Sequence, residues 1–169
     1  MLNRVKLFLC IGASILVAAC VTGYKQASLN DDHATIEFSQ GYIGALSLSG
    51  SAHQQYLAVD GPECKSPRRL AVFAPFRFVA NVTKRVPADE NIYLAAINNR
   101  ETAFSQLVCS QVFSFTPKSG ASYRITQVMS DNDYVCEIEI MDVATKQVPE
   151  DFSVHPSDKC QAPVEFFKY

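Results

Sequence analysis

Cysteines are the residues of this chain best suited to covalent chemistry, and the chain has six of them. None forms a Cys-x-x-Cys pair, so the thiol–disulfide exchange of thioredoxin-like proteins is not expected. Cys10 and Cys20 lie near the N-terminus. The remaining cysteines are spread through the rest of the chain: Cys64, Cys109, Cys136 and Cys160. Four such cysteines predict structural disulfides in an oxidising compartment.

The histidines and carboxylates predict no second chemical site. His33, His53 and His155 lie in polar or turn-like segments, and none stands beside a serine, cysteine or carboxylate pattern on a strong strand. The segment Asp131–Asp133 could begin a calcium loop, but Cys136 occupies the sixth place, which requires glycine. A polar turn is the better interpretation. We therefore predict a protein that is not an enzyme and that uses no metal and no cofactor.

The first 20 residues have the layout of a secretory signal. Arg4 and Lys6 precede an apolar run of 13 residues, Leu7–Ala19. A spanning helix needs about 20 apolar residues, so the run fits a signal peptide better. It ends in Val17-Ala18-Ala19-Cys20, which resembles the lipobox of bacterial lipoproteins: an aliphatic residue, two small residues and a cysteine. The resemblance implies removal of residues 1–19 and attachment of lipid to Cys20.

An ordinary secretory cleavage is the alternative interpretation, because Val17-x-Ala19 also satisfies the small-residue rule. Cysteine parity favours lipidation. Loss of Cys10 with lipidation of Cys20 leaves four cysteines, whereas an unmodified Cys20 leaves five and an odd thiol. Val21 follows the lipobox where lipoproteins of the inner membrane often carry Asp. The resemblance therefore implies an anchor in the outer membrane, facing the periplasm.

The charge of the chain excludes some partners. Removal of residues 1–19 leaves 13 basic and 17 acidic residues, a net charge of −4. This balance predicts no binding to nucleic acid. It also argues against a cluster of basic residues that binds anionic lipid, so membrane contact is expected from the lipid on Cys20 alone. The remaining partner we expect is a protein of the cell envelope.

The mature chain is predicted to contain a tether and one domain. Residues 20–34 are polar and aperiodic and are assigned to a lipidated tether. Residues 35–169 have the length of a single domain. Pro75 interrupts one of its apolar segments, which is therefore an edge strand or two strands. Strands are expected at Thr35–Phe38, Tyr42–Leu48, Gln55–Val59, Leu70–Val82, Asn91–Ile97 and Val164–Tyr169.

The segment Leu107–Val143 has the clearest strand pattern. Cys109, Gln111, Phe113 and Phe115 share one face of a predicted strand. A polar turn at residues 130–133 separates the next strand from an alternating run that begins at Cys136. Short strands with turns at this spacing predict a sandwich or a barrel.

The run Phe115-x-Pro117-x-x-Gly120-x-x-Tyr123 resembles the corner at which the chain of immunoglobulin-like and transthyretin-like sandwiches passes between sheets. The resemblance implies that Tyr123 starts a strand and that its hydroxyl bonds to the backbone upstream. The predicted fold is an all-β sandwich of about seven to nine short strands with disulfides.

Four cysteines allow three disulfide connectivities. In a three-strand meander, Cys109 and Cys136 would lie about 10 Å apart, beyond the limit of about 7 Å for a disulfide. Facing positions of two stacked sheets can be bridged, so this disulfide and a sheet-crossing corner support each other. We favour Cys109–Cys136 with Cys64–Cys160.

Ser119-Gly120-x-x-Tyr123 also resembles a short motif of the periplasmic lysozyme inhibitors, which are small disulfide-bearing β-barrel lipoproteins. That family inserts the motif into the lysozyme cleft. This chain has no Trp and lacks the family's second segment, and the corner explains the same residues. The favoured function is therefore a non-catalytic, membrane-anchored envelope lipoprotein that binds a protein or scaffolds an assembly. Inhibition of a periplasmic hydrolase is the alternative.

Overall fold

The structure is a computed structural model, and it describes residues 22–41, 51–74, 80–101, 106–129 and 136–160. Their regular secondary structure is almost entirely β, as predicted, and none of their helices is long and apolar enough to span a membrane. The strands are β1 (Thr22–Gly23), β2 (His33–Ser39), β3 (Ser51–Asp60), β4 (Lys65–Phe73), β5 (Asn81–Pro87), β6 (Ile92–Glu101), β7 (Gln106–Phe115), β8 (Ser122–Met129), β9 (Cys136–Asp142) and β10 (Ser153–His155).

Two sheets form a sandwich, which confirms the predicted fold class. The larger sheet has the order β1-β4-β3-β6-β7-β10, and the smaller has the order β5-β2-β8-β9. β1 pairs with β4 and β2 pairs with β8 in parallel, whereas the other pairs are antiparallel. Both parallel pairs join segments that are distant in sequence.

The main core fills the space between the sheets. In β2, every second residue is fully buried, as the alternation in the sequence predicts. Large side chains of the larger sheet pack against them, with Phe113 and Phe115 on the predicted face of β7. The largest buried side chains of this core include Phe38, Tyr56, Phe73, Phe113 and Phe115.

A second apolar cluster belongs to the larger sheet and uses positions that alternate with those of the main core. Leu57 and Val59 belong to this cluster, whereas their neighbours Tyr56 and Ala58 belong to the main core. Burial of alternate positions on both faces explains why β3, β6 and β7 show weak polar–apolar alternation in the sequence. The cluster consists of Leu57, Val59, Cys64, Ala95, Ile97 and Val112, with Tyr93 and Cys160 packed against it.

The segment around Pro75 forms two strands, one of the two alternatives that the sequence left open. β4 ends at Phe73 in the larger sheet, and β5 begins at Asn81 in the smaller sheet. The chain therefore changes sheets across the proline-containing stretch. The expected strands at Tyr42–Leu48 and Val164–Tyr169, and the turn at 130–133, lie outside the described residues.

Part of the segment that the sequence assigns to a lipidated tether, residues 20–34, pairs with the sandwich. Thr22 and Gly23 pair with Arg68 and Arg69 of β4, and the amide of Tyr24 donates to the Arg69 carbonyl at 3.0 Å. Further along, β2 begins within the expected tether. Backbone hydrogen bonds to an edge strand need no side-chain pattern, so the polar, aperiodic sequence did not reveal this docking.

Candidate functional site

The Gly120–Tyr123 corner has the geometry that the sequence predicted. Tyr123 lies at the start of β8 and is 3% exposed. Its hydroxyl accepts a hydrogen bond from the backbone amide of Lys118 at 2.9 Å. Its ring packs edge-on against Phe115, with the centroids 5.1 Å apart. Gly120 has a φ of +72°, which favours glycine, so the corner depends on both named residues.

The same corner separates the residues of the inhibitor-like motif. Ser119 and Gly120 are exposed in the turn, whereas Tyr123 points into the core. The Ser119 hydroxyl donates to Asp32 Oδ1 at 3.4 Å, which ties the turn to the chain before β2. Tyr123 is therefore not presented to a partner in this arrangement.

Both disulfides have the favoured connectivity. Cys109 of β7 is bonded to Cys136 of β9, and this bond joins the larger sheet to the smaller one. Cys64 is bonded to Cys160, which fixes the segment after β10 to the turn between β3 and β4. Cys20, the predicted lipidation site, lies outside the described residues.

A buried polar network connects the two sheets. The Tyr56 hydroxyl donates to the Ser39 carbonyl at 3.1 Å and accepts the backbone amide of Gln127 at 2.7 Å. The Gln54 side chain donates to the Gln127 carbonyl at 3.0 Å, and the Gln127 side chain donates to the Cys109 carbonyl at 3.3 Å. Burial raises the pKa of Tyr56 far above its usual value, so it stays a neutral donor. No local pattern in the sequence predicted this network.

Contrary to the expectation from the sequence, one histidine lies beside a serine. His155 Nε2 lies 2.8 Å from the Ser114 hydroxyl, because β10 pairs with β7. Ser114 is 4% exposed, and no carboxylate among the described residues bonds to His155. A serine nucleophile needs an accessible hydroxyl and an oriented base. His33 and His53 lie apart, in β2 and β3.

A groove that both sheets line lies at one end of the sandwich. This end groove is a cavity of about 380 Å³, and its floor includes Ala58 and Leu94 from the larger sheet and Val86 from the smaller. Its polar and aromatic rim consists of Tyr24, Lys25, Asp60, Arg68, Glu90 and Tyr93. Residues from five separate segments meet there, so the groove depends on the docked N-terminal segment.

The rim of the end groove combines charge with aromatic surface. Arg68 Nη2 lies 2.7 Å from Asp60 Oδ1, and both side chains are about half exposed. Burial raises the pKa of Tyr24, while the charge of Arg68 lowers it and that of Glu90 raises it. Tyr and Arg are enriched where proteins bind proteins, because each offers apolar area with directed hydrogen bonds.

Within the described ranges, no group of His, Cys, Asp or Glu is placed to hold a metal ion.

Comparison with known proteins adds little. No protein-family model matches the chain, and no curated protein matches it. A crystal structure of a "putative cell adhesion protein" from Bacteroides ovatus is similar over 66% of this chain and 44% of that chain, with 14% identity and a TM-score of 0.28. The chain thus corresponds to less than half of that protein, and a likeness this small supports no argument about function.

Proposed function

We propose that this protein is a lipid-anchored envelope lipoprotein whose sandwich domain binds another envelope protein without catalysing a reaction. The anchor is Cys20, in an outer membrane and facing the periplasm. The end groove is the binding surface. This proposal combines the lipobox-like sequence with a surface whose composition suits protein recognition.

The end groove is the observation that carries the binding part of the proposal. It brings Tyr24, Arg68 and Tyr93 to one concave surface above an apolar floor. Hot spots of protein interfaces are enriched in tyrosine and arginine, which become desolvated near the centre of the interface. The two disulfides support an oxidising compartment, which agrees with export of the domain.

Inhibition of a periplasmic hydrolase by Ser119, Gly120 and Tyr123 is the weaker proposal. An inhibitory loop must present its tyrosine to the hydrolase. Tyr123 is instead in the main core, where its hydroxyl bonds to Lys118. Only the exposed Ser119–Gly120 part of the motif is available to a partner.

A capture experiment from envelope extracts tests the anchor and the groove together. Wild-type lipoprotein should incorporate labelled palmitate and should retain an envelope protein after washing. Cys20→Ser should remove the label, because no thiol remains to accept the lipid. Glu90→Arg with Asn91→Arg should retain the label and lose the captured protein, because two bulky cations then crowd the rim. Both positions are exposed, so folding should be unaffected.

The matched control makes the same change of charge away from the groove. Glu137→Arg with Gln147→Arg changes exposed positions on and after β9 and should capture the protein as wild type does. Palmitate labelling that persists in Cys20→Ser would refute the anchor. Equal loss of capture in both double variants would refute the groove as the binding surface. Full capture by both double variants would refute it as well. Inhibition of lysozyme by the wild type would favour the weaker proposal.

A further inference from the structure

The N-terminal segment lies along one side of the sandwich and touches both sheets there. Gly23 pairs with Arg69 of β4 in the larger sheet. Four residues later, the amide of Ala27 donates to the Arg85 carbonyl of β5 at 3.4 Å. Arg85 Nε donates to the Ala27 carbonyl at 3.0 Å in return. We call this side, formed by residues 22–27, β4 and β5, the anchor edge.

The anchor edge is basic although the mature chain is acidic. It carries six of the 13 basic residues that follow the predicted signal peptide. Gly23, Arg69 and Lys84 line one cavity, so cations from both sheets share this surface. Acidic residues also lie beside or at the ends of these strands, among them Asp60, Glu63, Asp89 and Glu90. The six basic residues are Lys25, Lys65, Arg68, Arg69, Lys84 and Arg85.

The opposite side of the sandwich has the opposite charge. There β9 ends the smaller sheet and β10 ends the larger one, and the Cys109–Cys136 disulfide joins β9 to β7. Cations near this side include Arg124 on the neighbouring strand β8, and Lys118 and Lys146 near Asp142. Its acidic residues are Glu137, Glu139, Asp142, Glu150, Asp151 and Asp158. The net charge of the chain is therefore small although basic and acidic residues are separated across the sandwich.

The proposed anchor brings the basic side next to the membrane. Only Val21 separates Cys20 from Thr22, which pairs with Arg68. Two extended residues span at most about 7 Å, so the domain is held close to the headgroups. The Debye length at physiological ionic strength is about 8 Å, so charges at this separation still interact. A long tether would have removed this interaction.

We propose that the anchor edge is a cationic surface that lies on anionic phospholipid headgroups and orients the domain on the membrane. The proposal rests on the lipidation of Cys20 proposed above. It differs from the expectation, drawn from the net charge of the chain, that only the lipid on Cys20 contacts the membrane. In this orientation the acidic side points away from the bilayer, and the end groove, whose rim shares Lys25 and Arg68 with the anchor edge, opens beside the headgroups.

Chemical labelling of lysine amines in the reconstituted, lipidated protein tests the orientation. The protein is placed in nanodiscs of phosphatidylcholine alone or mixed with phosphatidylglycerol, and labelling is followed by mass spectrometry. On the anionic discs, Lys25, Lys65 and Lys84 should be labelled at least about fivefold more slowly, whereas Lys118 and Lys146 should be unchanged. About 1 M salt, which shortens the Debye length to about 3 Å, should abolish the difference.

Matched charge variants separate the surface from the total charge. With Lys65→Glu and Lys84→Glu, Lys25 should lose its slow labelling on anionic discs. With Lys118→Glu and Lys146→Glu, which change the charge equally, Lys25 should keep it. Equal labelling of wild type on both kinds of disc would overturn the orientation while leaving the anchor intact. Failure of the protein to enter discs would overturn the anchor and, with it, the orientation.

Discussion

The ring and the hydroxyl of Tyr123 stabilise different parts of the same corner. The ring contributes to the main core and packs on Phe115, whereas the hydroxyl accepts the amide of Lys118. The ring thus fixes the start of β8 against the core, and the hydroxyl fixes the turn that leads into it. The two contributions can be measured separately, because phenylalanine removes only the hydroxyl.

We expect Tyr123→Phe to lower the free energy of unfolding by about 0.5–1.5 kcal/mol, the net value of one hydrogen bond. Tyr123→Ala should lower it by about 3–5 kcal/mol, because a buried aromatic ring leaves a cavity. Urea denaturation of the purified domain measures both values. Tyr93→Phe is the control, since no hydrogen bond involves its hydroxyl among the described residues, and it should change stability by less than about 0.5 kcal/mol. A Tyr123→Ala variant as stable as the wild type would contradict the buried corner.

At the level of single elements, the strands with regular alternation were predictable. β2 and the start of β9 follow an apolar–polar period of two, and the structure has strands at both places. The turn before β8 was predictable from Pro117, Gly120 and Tyr123, whose types restrict the backbone or need a partner. In these cases the information is local, so a single sequence contains it.

Other parts of the candidate surfaces could not be predicted from local patterns. The docking of Thr22–Gly23 on β4 uses backbone groups, which every residue has. The end groove brings together Tyr24, Arg68 and Glu90, which are distant in sequence. The same reason applies to the contact between Ser114 and His155, which are 41 residues apart. Long-range pairing of this kind depends on the topology.

The docked N-terminal segment leads to a prediction about one element. Arg85→Ala removes the donor to the Ala27 carbonyl, and a hydrogen bond to a charged group contributes about 1.5 kcal/mol or more. The amides of Tyr24 and Ala27 should then exchange with deuterium about tenfold faster, because the segment opens more often. Arg124→Ala is the control, since Arg124 pairs with Glu37 elsewhere on the smaller sheet. Equal exchange rates in both variants would show that Arg85 does not hold the segment.

On the scale of the whole molecule, the sandwich is closed on both sides by contacts that cross between sheets. The N-terminal segment connects β4 and β5 on the basic side, and the Cys109–Cys136 disulfide connects β7 and β9 on the acidic side. The network around Tyr56 joins the sheets in the interior. The two sides differ in strength, because one is closed by hydrogen bonds and the other by a covalent bond.

The two disulfides should contribute differently to global stability. Cys109 and Cys136 are 27 residues apart, and Cys64 and Cys160 are 96 apart. If a disulfide stabilises by restricting the unfolded chain, loops of these lengths are worth about 3.5 and about 4.7 kcal/mol. Cys64→Ala with Cys160→Ala should therefore lower the free energy of unfolding more than Cys109→Ala with Cys136→Ala does.

For the Cys109–Cys136 disulfide, which closes the shorter loop, contacts in the native state oppose this expected order of stability losses. Cys109 is buried and its sulfur and carbonyl both accept from the Gln127 side chain, so its removal also disturbs the network between the sheets. Urea denaturation of both double variants, followed by circular dichroism, measures the difference. A larger loss for the Cys109–Cys136 pair would mean that the contact between the sheets outweighs chain entropy. In that case Gln127→Ala should reproduce part of the loss with both disulfides intact, because it removes the same hydrogen bonds while leaving the covalent link in place.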